Sequence, residues 1–219
     1  MSFPGQTVGA SLFTQPLSIT YGDEAHLVEY AALAQIKSNL EQECERIETV
    51  WSQRDQDLMA ALDLQFIPCV IERVQPQNFF VGARPSLIQS SSDFWPSVTT
   101  RAALSRASKE QIDLVDVYDV QLDVEVLCKW GPIPQERLHE RDGVVAEGEV
   151  NKQVQRLSAA VHNCLRLDPT LGRTVEPLAA PTKRLGFPFA LAGVNRERTG
   201  DYWVYCGRQM RYQSVVNAF

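Results

Sequence analysis

Four aspartates in the middle of the sequence, Asp113, Asp116, Asp119 and Asp123, could supply the paired carboxylates that general acid–base catalysis needs. Acidic residues here alternate with apolar ones, however, and this alternation is typical of the solvated face of a strand. Catalytic carboxylate pairs usually come from chain segments that approach each other in the fold. The spacing therefore indicates a wet strand face and not an active site.

The three histidines, His26, His139 and His162, fall in different segments, and none has the nearby partners that a metal or catalytic cluster would need. They are interpreted as ordinary surface or core residues. The phosphate-binding motifs GxxxxGK[ST] and GxGxxG and the nucleophile motif GxSxG do not occur in the sequence. The sequence therefore predicts no enzyme activity, no cofactor and no metal.

The five cysteines are an odd number, show no CxxC spacing and each lie in a largely apolar stretch. Because a free cysteine packs as a small hydrophobe, all five are predicted to be reduced packing residues, with a metal site as the alternative. They are Cys44, Cys69, Cys128, Cys164 and Cys206.

Two polar segments are the candidates for binding. Residues 131–148 form a connector with mixed charge, which is either a solvated surface or an interaction loop. Residues 177–201 hold several prolines and glycines, and an irregular stretch of that length suggests a functional loop whose arginines could bind anions. The candidate interaction residues are Glu136, Arg137, Glu140 and Arg141 in the connector and Arg184, Arg196 and Arg198 in the later loop.

A strand and a helix flank the connector. Every second residue from 118 to 130 is apolar, which predicts a strand with one buried and one wet face, and hence a sheet covered on one side only. Apolar residues spaced three and four apart between 150 and 165 predict an amphipathic helix, which ends before Pro169. Trp130, Leu157 and Val161 are expected in the core.

The remaining elements are predicted from weaker patterns. Residues 24–63 contain no glycine or proline and carry an apolar stripe, which indicates one long helix or two with a joint near residues 52–56. Residues 66–74 favour a strand, short strands are possible at 79–81 and 95–99, and 105–111 favours a surface turn. A strand is expected again from residue 202, with Gly207 as a bulge or a hairpin turn.

These elements predict an α+β fold: a small, mostly antiparallel sheet of three or four strands with two substantial helices packed on one face. An extended N-terminal arm, residues 1–20, would precede a single domain of residues 21–219. The chain has 219 residues, of which 44% are hydrophobic and 22% charged, which is ordinary composition for one folded domain. It shows neither an apolar run long enough for a membrane span nor the pattern of a signal peptide.

Charge limits the choice of partners. The formal net charge is −6 and the 21 basic residues are scattered, so a protein that binds nucleic acid through clustered phosphate contacts is not expected. An acidic surface can still let DNA pass without adhering.

The order of elements, together with several short phrases, resembles the tail-terminator and neck proteins of tailed bacteriophages. The phrases are the run from Phe80 to Ile88, the strand that ends Val124-Glu125-Val126, the helix that opens at 147–151, the sequence Asp168-Pro169-Thr170-Leu171-Gly172, and the closing aromatic strand at 202–205. The resemblance covers residues 24–219.

This resemblance implies a structural protein of the virion neck that is assembled in the host cytoplasm. Its subunits would form a homo-oligomeric ring, expected to be a hexamer, that caps the tail tube, stops tube polymerisation and meets a head-side connector or stopper protein. DNA would pass through the lumen without sequence-specific binding. Residues 1–20 would strap onto an adjacent subunit.

Two alternatives remain open. The chain could be another head-to-tail connector, such as a stopper or adaptor, or a tail-associated component. It could also be a small-molecule-binding domain or an enzyme that uses the loop at 177–200.

Overall fold

The computed structural model describes residues 24–63, 70–83, 95–106, 116–133, 141–183, 188–192 and 202–218. It has the predicted α+β fold, with two long helices on one face of a mixed sheet. In chain order the elements are α1 (Glu24–Ala61), a 3-10 turn (Pro76–Asn78), β1 (Phe79–Val81), β2 (Ser97–Arg106), β3 (Asp116–Ile133), α2 (Arg141–Leu167), β4 (Thr182–Lys183), β5 (Pro188–Ala192) and β6 (Tyr202–Ala218).

The sheet is built around two long antiparallel strands, β3 and β6. Their pairing begins at Asp116 opposite Ala218 and ends at Ile133 opposite Tyr202, with one irregularity after Trp130. Strand β2 pairs antiparallel with the other edge of β3, and β1 adds to β2 in parallel. Strands β4 and β5 both pair antiparallel with β6, so the described residues form a six-stranded sheet in the order β1-β2-β3-β6-β4 with β5 also on β6.

The two helices cover one face of this sheet, as the alternation in β3 predicts. Val120, Leu122 and Val124 of β3 are almost completely buried on the face that the helices cover. Leu157 and Val161 of α2 are buried in the same core. The core prediction is therefore confirmed for these two helix residues. The side chain of Trp130 lies outside the described part of the structure.

Helix α1 is continuous, without the joint considered near residues 52–56. Its 38 residues give a length of about 57 Å. Buried side chains recur every three or four residues up to Ile47. The two helices run roughly antiparallel, because Gln35 of α1 donates to the carbonyls of Cys164 and Asp168, whereas the guanidinium of Arg156 lies 5.7 Å from the ring centre of Trp51.

The prediction of a strand at 66–74 is wrong for residues 70–74, which are the part of this range that the structure describes. Helix side chains bind the backbone groups of this segment, which a strand would need for pairing. Glu48 of α1 accepts from the backbone N–H of Ile71, and Gln153 of α2 bonds to the carbonyl of Val70 and the N–H of Glu72. Residues 70–74, the cross-helix segment, thus bridge the two helices.

Three boundaries also differ from prediction. Ser105 and Arg106 are not in a turn, because they extend β2 opposite β3. The connector is shorter than 131–148, since Ile133 still pairs in the sheet and α2 already begins at Arg141. The loop expected at 177–201 contains β4 and β5, which raises the number of strands above the three or four predicted.

Gly207 is neither a bulge nor a hairpin turn, because β6 continues through it opposite Leu127. Leu127 lies on the face of the sheet away from the helices and is nevertheless 1% exposed. A methyl group at position 207 would come within 2.5 Å of Cδ2 of Leu127. Glycine is therefore needed here for the space that it leaves to the facing leucine.

We expect Gly207→Ala to lower the free energy of unfolding by about 1–3 kcal/mol, because the buried Leu127 cannot move away freely. Urea denaturation measures this loss. Gly148→Ala on α2 is the matched control: nothing lies within 4 Å of its new methyl group, so stability should stay the same or rise by up to about 1 kcal/mol. Adding Leu127→Val to Gly207→Ala should cost less than the two single changes together. Additive losses would contradict the proposed clash.

Stability should also depend on pH through Glu48. Hydrogen bonds from the Arg73 guanidinium hold the pKa of the Glu48 carboxyl below its ordinary value of 4.5. The resulting stabilisation is fully present above pH 4.5 and is lost as the pH falls through the lowered pKa of the folded state.

Glu48→Gln should therefore reduce stability most near neutral pH, and the difference from wild type should shrink below pH 4.5. Thermal unfolding across pH values measures it. Glu45→Gln changes an exposed carboxylate on the same helix and serves as the control. A Glu48→Gln loss that is equally large in acid would show that charge is not what holds the cross-helix segment.

Candidate interaction surface

Most of the candidate interaction residues predicted from the sequence lie outside the described part of the structure. Glu136, Arg137 and Glu140 lie outside the described residues. Arg184, Arg196 and Arg198 do too. Arg141 begins α2, and only its backbone is described. Their grouping into interaction loops remains a prediction.

The described part instead offers the face of the sheet opposite the helices, here called the outer face. At its centre the strand register places Arg101 of β2, Asp123 of β3 and Arg211 of β6 in one cross-strand row. Arg211 holds Asp123 in a two-pronged contact, with Nε to Oδ1 at 2.7 Å and Nη2 to Oδ2 at 3.0 Å. Arg101 lies 3.8 Å from a carboxylate oxygen of Glu125.

These contacts determine what the central row can do chemically. The hydrogen bonds that the Arg211 guanidinium donates to Asp123 raise the pKa of that guanidinium, which stays charged. Both carboxylate oxygens of Asp123 accept from that guanidinium, so they are not poised to take a proton from a substrate. The interpretation as a strand face open to water agrees with this geometry for Asp119 and Asp123, whereas Asp113 and the side chain of Asp116 lie outside the described part of the structure.

The outer face is not polar throughout. Toward one end, Leu127 and Tyr205 are buried, and the ring of Trp95 meets that of Tyr205 edge to face with centroids 5.5 Å apart. Toward the other end lies a depression of about 460 Å³ lined by polar side chains such as Asp119, Gln121 and Gln213. These apolar side chains are at most 4% exposed, so the accessible part of the outer face is its polar part.

A groove of about 430 Å³ lies on the helix side, between the last turns of α2 and residues 169–181. At its floor, Nδ1 of His162 is 3.0 Å from the hydroxyl of Tyr212. Burial raises the pKa of that hydroxyl well above its ordinary value, so it stays protonated. His162 and Tyr212 therefore form a polar contact in a groove that both polar and apolar side chains line.

The cysteines described by the structure behave as packing residues. Cys44, Cys128, Cys164 and Cys206 are buried and unbonded to one another. Burial raises the pKa of the Cys44 thiol to about 11 and that of Cys164 to about 12, which disfavours the reactive thiolate. The prediction of reduced packing cysteines is confirmed for these four, and Cys69 lies outside the described residues.

The described residues show neither a metal-binding cluster nor a helix that could span a membrane. No three side chains of His, Cys, Asp or Glu gather there into a group that could hold a metal ion. Neither helix, as far as it is described, is long and apolar enough to cross a membrane. Compared with known proteins, the chain matches no protein-family model and no curated protein.

Sequence reasoning missed the paired charges of the outer face. The alternation in β6 does separate Arg211 from Tyr212, so the sequence contained a signal that Arg211 faces away from the core. What it lacked was the register that sets Arg211 opposite Asp123. The contact of His162 with Tyr212 could not be foreseen from the sequence.

We expect Asp123→Asn to lower the free energy of unfolding by about 1 kcal/mol at most, because the ion pair is partly open to water. Urea denaturation at low and high salt measures the change. Exchanging the two charges, Asp123→Arg with Arg211→Asp, should recover most of the loss. A loss of several kcal/mol that the exchange does not recover would show that the pair serves packing.

Proposed function

We propose that this chain is a ring-forming structural subunit of a virion neck. More specifically, we propose a tail terminator of a tailed bacteriophage, whose ring caps the tail tube, stops its polymerisation and offers a surface to the head-side connector. The observation that carries the proposal is the one-sided sheet, in which two long helices cover one face and the other face presents paired charges.

The order of the elements supports it from β3 onward. The resemblance to tail terminators expects a helix, a strand, the run from Phe80 to Ile88, a strand that ends Val124-Glu125-Val126, a second helix, an irregular loop and a closing aromatic strand. The described chain runs α1, β1, β2, β3, α2, an irregular segment with two short strands, and then β6. The strand expected directly after the first helix is not found at residues 70–74. The turn after α2 is ordered by Asp168, whose carboxylate accepts from Thr170 and from the N–H of Gly172.

The chemistry of the described surfaces also favours assembly over catalysis. The carboxylate of Asp123 is held by Arg211, the described thiols are buried, and the phenol of Tyr212 stays protonated. A catalytic site needs reactive groups that converge on one place. A subunit needs surfaces that match neighbouring surfaces, and the charged row and the polar depression of the outer face form a surface of that kind.

Light scattering of the purified protein, alone and after addition of tail-tube protein, tests the proposal. We expect a closed ring, either in solution or once the tube is present. Tube length should then be tested directly. In a polymerisation assay, adding the protein should shorten the tubes in proportion to its concentration, and electron microscopy should show it at one tube end only.

Each negative result points to a different class. Rings that ignore the tube would favour a stopper or adaptor, which should instead bind the head-side connector. A monomer that neither assembles nor changes tube length would contradict the ring proposal altogether and would favour a binding domain.

A further inference from the structure

The end of helix α1 is largely unpacked from the rest of the described fold. Just before this end, α1 contacts α2 through Trp51, whose ring lies near the guanidinium of Arg156. From Gln53 onward the described side chains of α1 are exposed, except for the half-buried Met59. Residues 52–63, here called the projecting segment, are therefore largely free of packing contacts, and the helical part of the segment is about 15 Å long.

The base of the projecting segment is firmly held. Directly before it, Glu48 binds Arg73 through two hydrogen bonds of 2.8 and 2.9 Å and also binds the backbone of Ile71. Gln153 of α2 holds the same cross-helix segment from the other side. The projecting segment is thus a continuation of an anchored helix and leaves the fold in a fixed direction.

The projecting segment carries an apolar stripe that nothing described covers. Leu58 is 55% exposed and Leu62 is 57% exposed, and these residues lie one turn apart on the same side of the chain as Met59. Asp57 and Asp63 flank them, and the only described arginine of the segment, Arg54, folds back toward the ring of Trp51. The tip is therefore apolar and acidic.

The groove beside α2 has the complementary character. Leu178, Ala180 and Pro181 contribute apolar wall, and Arg166 adds a positive charge to the lining. A helix with an apolar stripe in an apolar groove is a common mode of protein recognition. Opposite charges beside the stripe and beside the groove would fix the orientation of the helix.

The groove and the projecting segment lie at opposite ends of the antiparallel helix pair, about 30 Å apart along the helix axes. One copy therefore cannot fill its own groove. Contacts between two different surfaces of identical subunits run head to tail, and they close into a ring when the rotation between subunits allows it.

We propose that the projecting segment of one copy seats in the groove of the next copy, with Leu58 and Leu62 against its apolar wall and the aspartates toward Arg166. This inference rests on the proposed ring and names the contact that builds it. A second copy of the chain is the occupant.

The first test is the double variant Leu58→Asp with Leu62→Asp, measured by light scattering in whichever condition the wild type forms a ring. We expect the mass to fall to that of the 24.6 kDa monomer while the thermal transition stays unchanged, because both side chains are exposed in the single copy. Tyr30→Asp is the control, since Tyr30 is 61% exposed at the other end of the same helix, and it should leave the ring intact.

The second test uses charge. Arg166→Glu should weaken assembly at least tenfold in concentration, and Asp57→Lys with Asp63→Lys in the same chain should restore it. Restoration separates a contact between copies from the favourable position of Arg166 at the end of α2.

The third test is a cross-link. A mixture of Leu62→Cys and Ala180→Cys chains should form disulfide-linked pairs on mild oxidation, whereas Leu62→Cys mixed with Gln155→Cys, a surface position on α2 away from the groove, should not. Each single variant alone measures the background from the native cysteines.

The outcomes distinguish this inference from the proposed function. Rings that persist in the Leu58→Asp, Leu62→Asp variant would overturn the inference and leave the ring proposal standing. Rings that form but no longer bind tube protein would overturn it too, and would assign the projecting segment to the tube. A wild type that never assembles, with or without tube protein, would overturn both.

Discussion

The pairing of β3 with β6 is the constraint on which the rest of the structure depends. These two strands occupy the middle of the sheet, and every other strand attaches to one of them or to β2. Their register decides which residues face the helices and which face outward, because a shift of one residue would turn every side chain to the opposite face. It sets the core residues of β3 beneath α2 and places Asp123 opposite Arg211 on the outer face.

Covering the sheet on one face only has a consequence for function. The helices exclude water from one face, so the residues there serve packing. The outer face and the free end of α1 are left to meet other molecules. On the outer face, Asp123 pairs with Arg211 and Glu125 lies near Arg101, and such fixed charges are suited to orienting a partner. The outer face and the end of α1 are therefore the surfaces at which partners are expected to bind.

Much of the fold could be predicted because buried apolar residues recur at regular intervals in the sequence. The alternation in β3 and the three-and-four spacing in α2 identify both elements and their buried faces. The segment at 70–74 shows where this reasoning stops. Its residues favour a strand, but Glu48 and Gln153 bind its backbone, and nothing local to the segment shows that two distant helix side chains will do so.

The short strands β4 and β5 were not predicted from the sequence, for a related reason. They form only because β6 offers an edge for pairing. Their own residues and the prolines nearby still indicate a loop. The candidate site divides in the same way. Charged residues could be found from the sequence, but the contact between Asp123 and Arg211 depends on a register between distant strands. Gly207 could be noticed as unusual, while its role as space for Leu127 required the facing strand.

The sequence distance between β3 and β6 also bears on synthesis. A ribosome adds roughly 5–20 residues per second, so β6 follows the end of α2 after an interval on the order of seconds. Until then, one edge of β3 has no partner, and an unpaired edge is a template for pairing with another nascent chain. The acidic residues along β3 oppose such pairing, since two identical copies would bring like charges together. The strand that organises the finished subunit thus has an unpaired edge until translation reaches β6, and its acidic residues protect that edge.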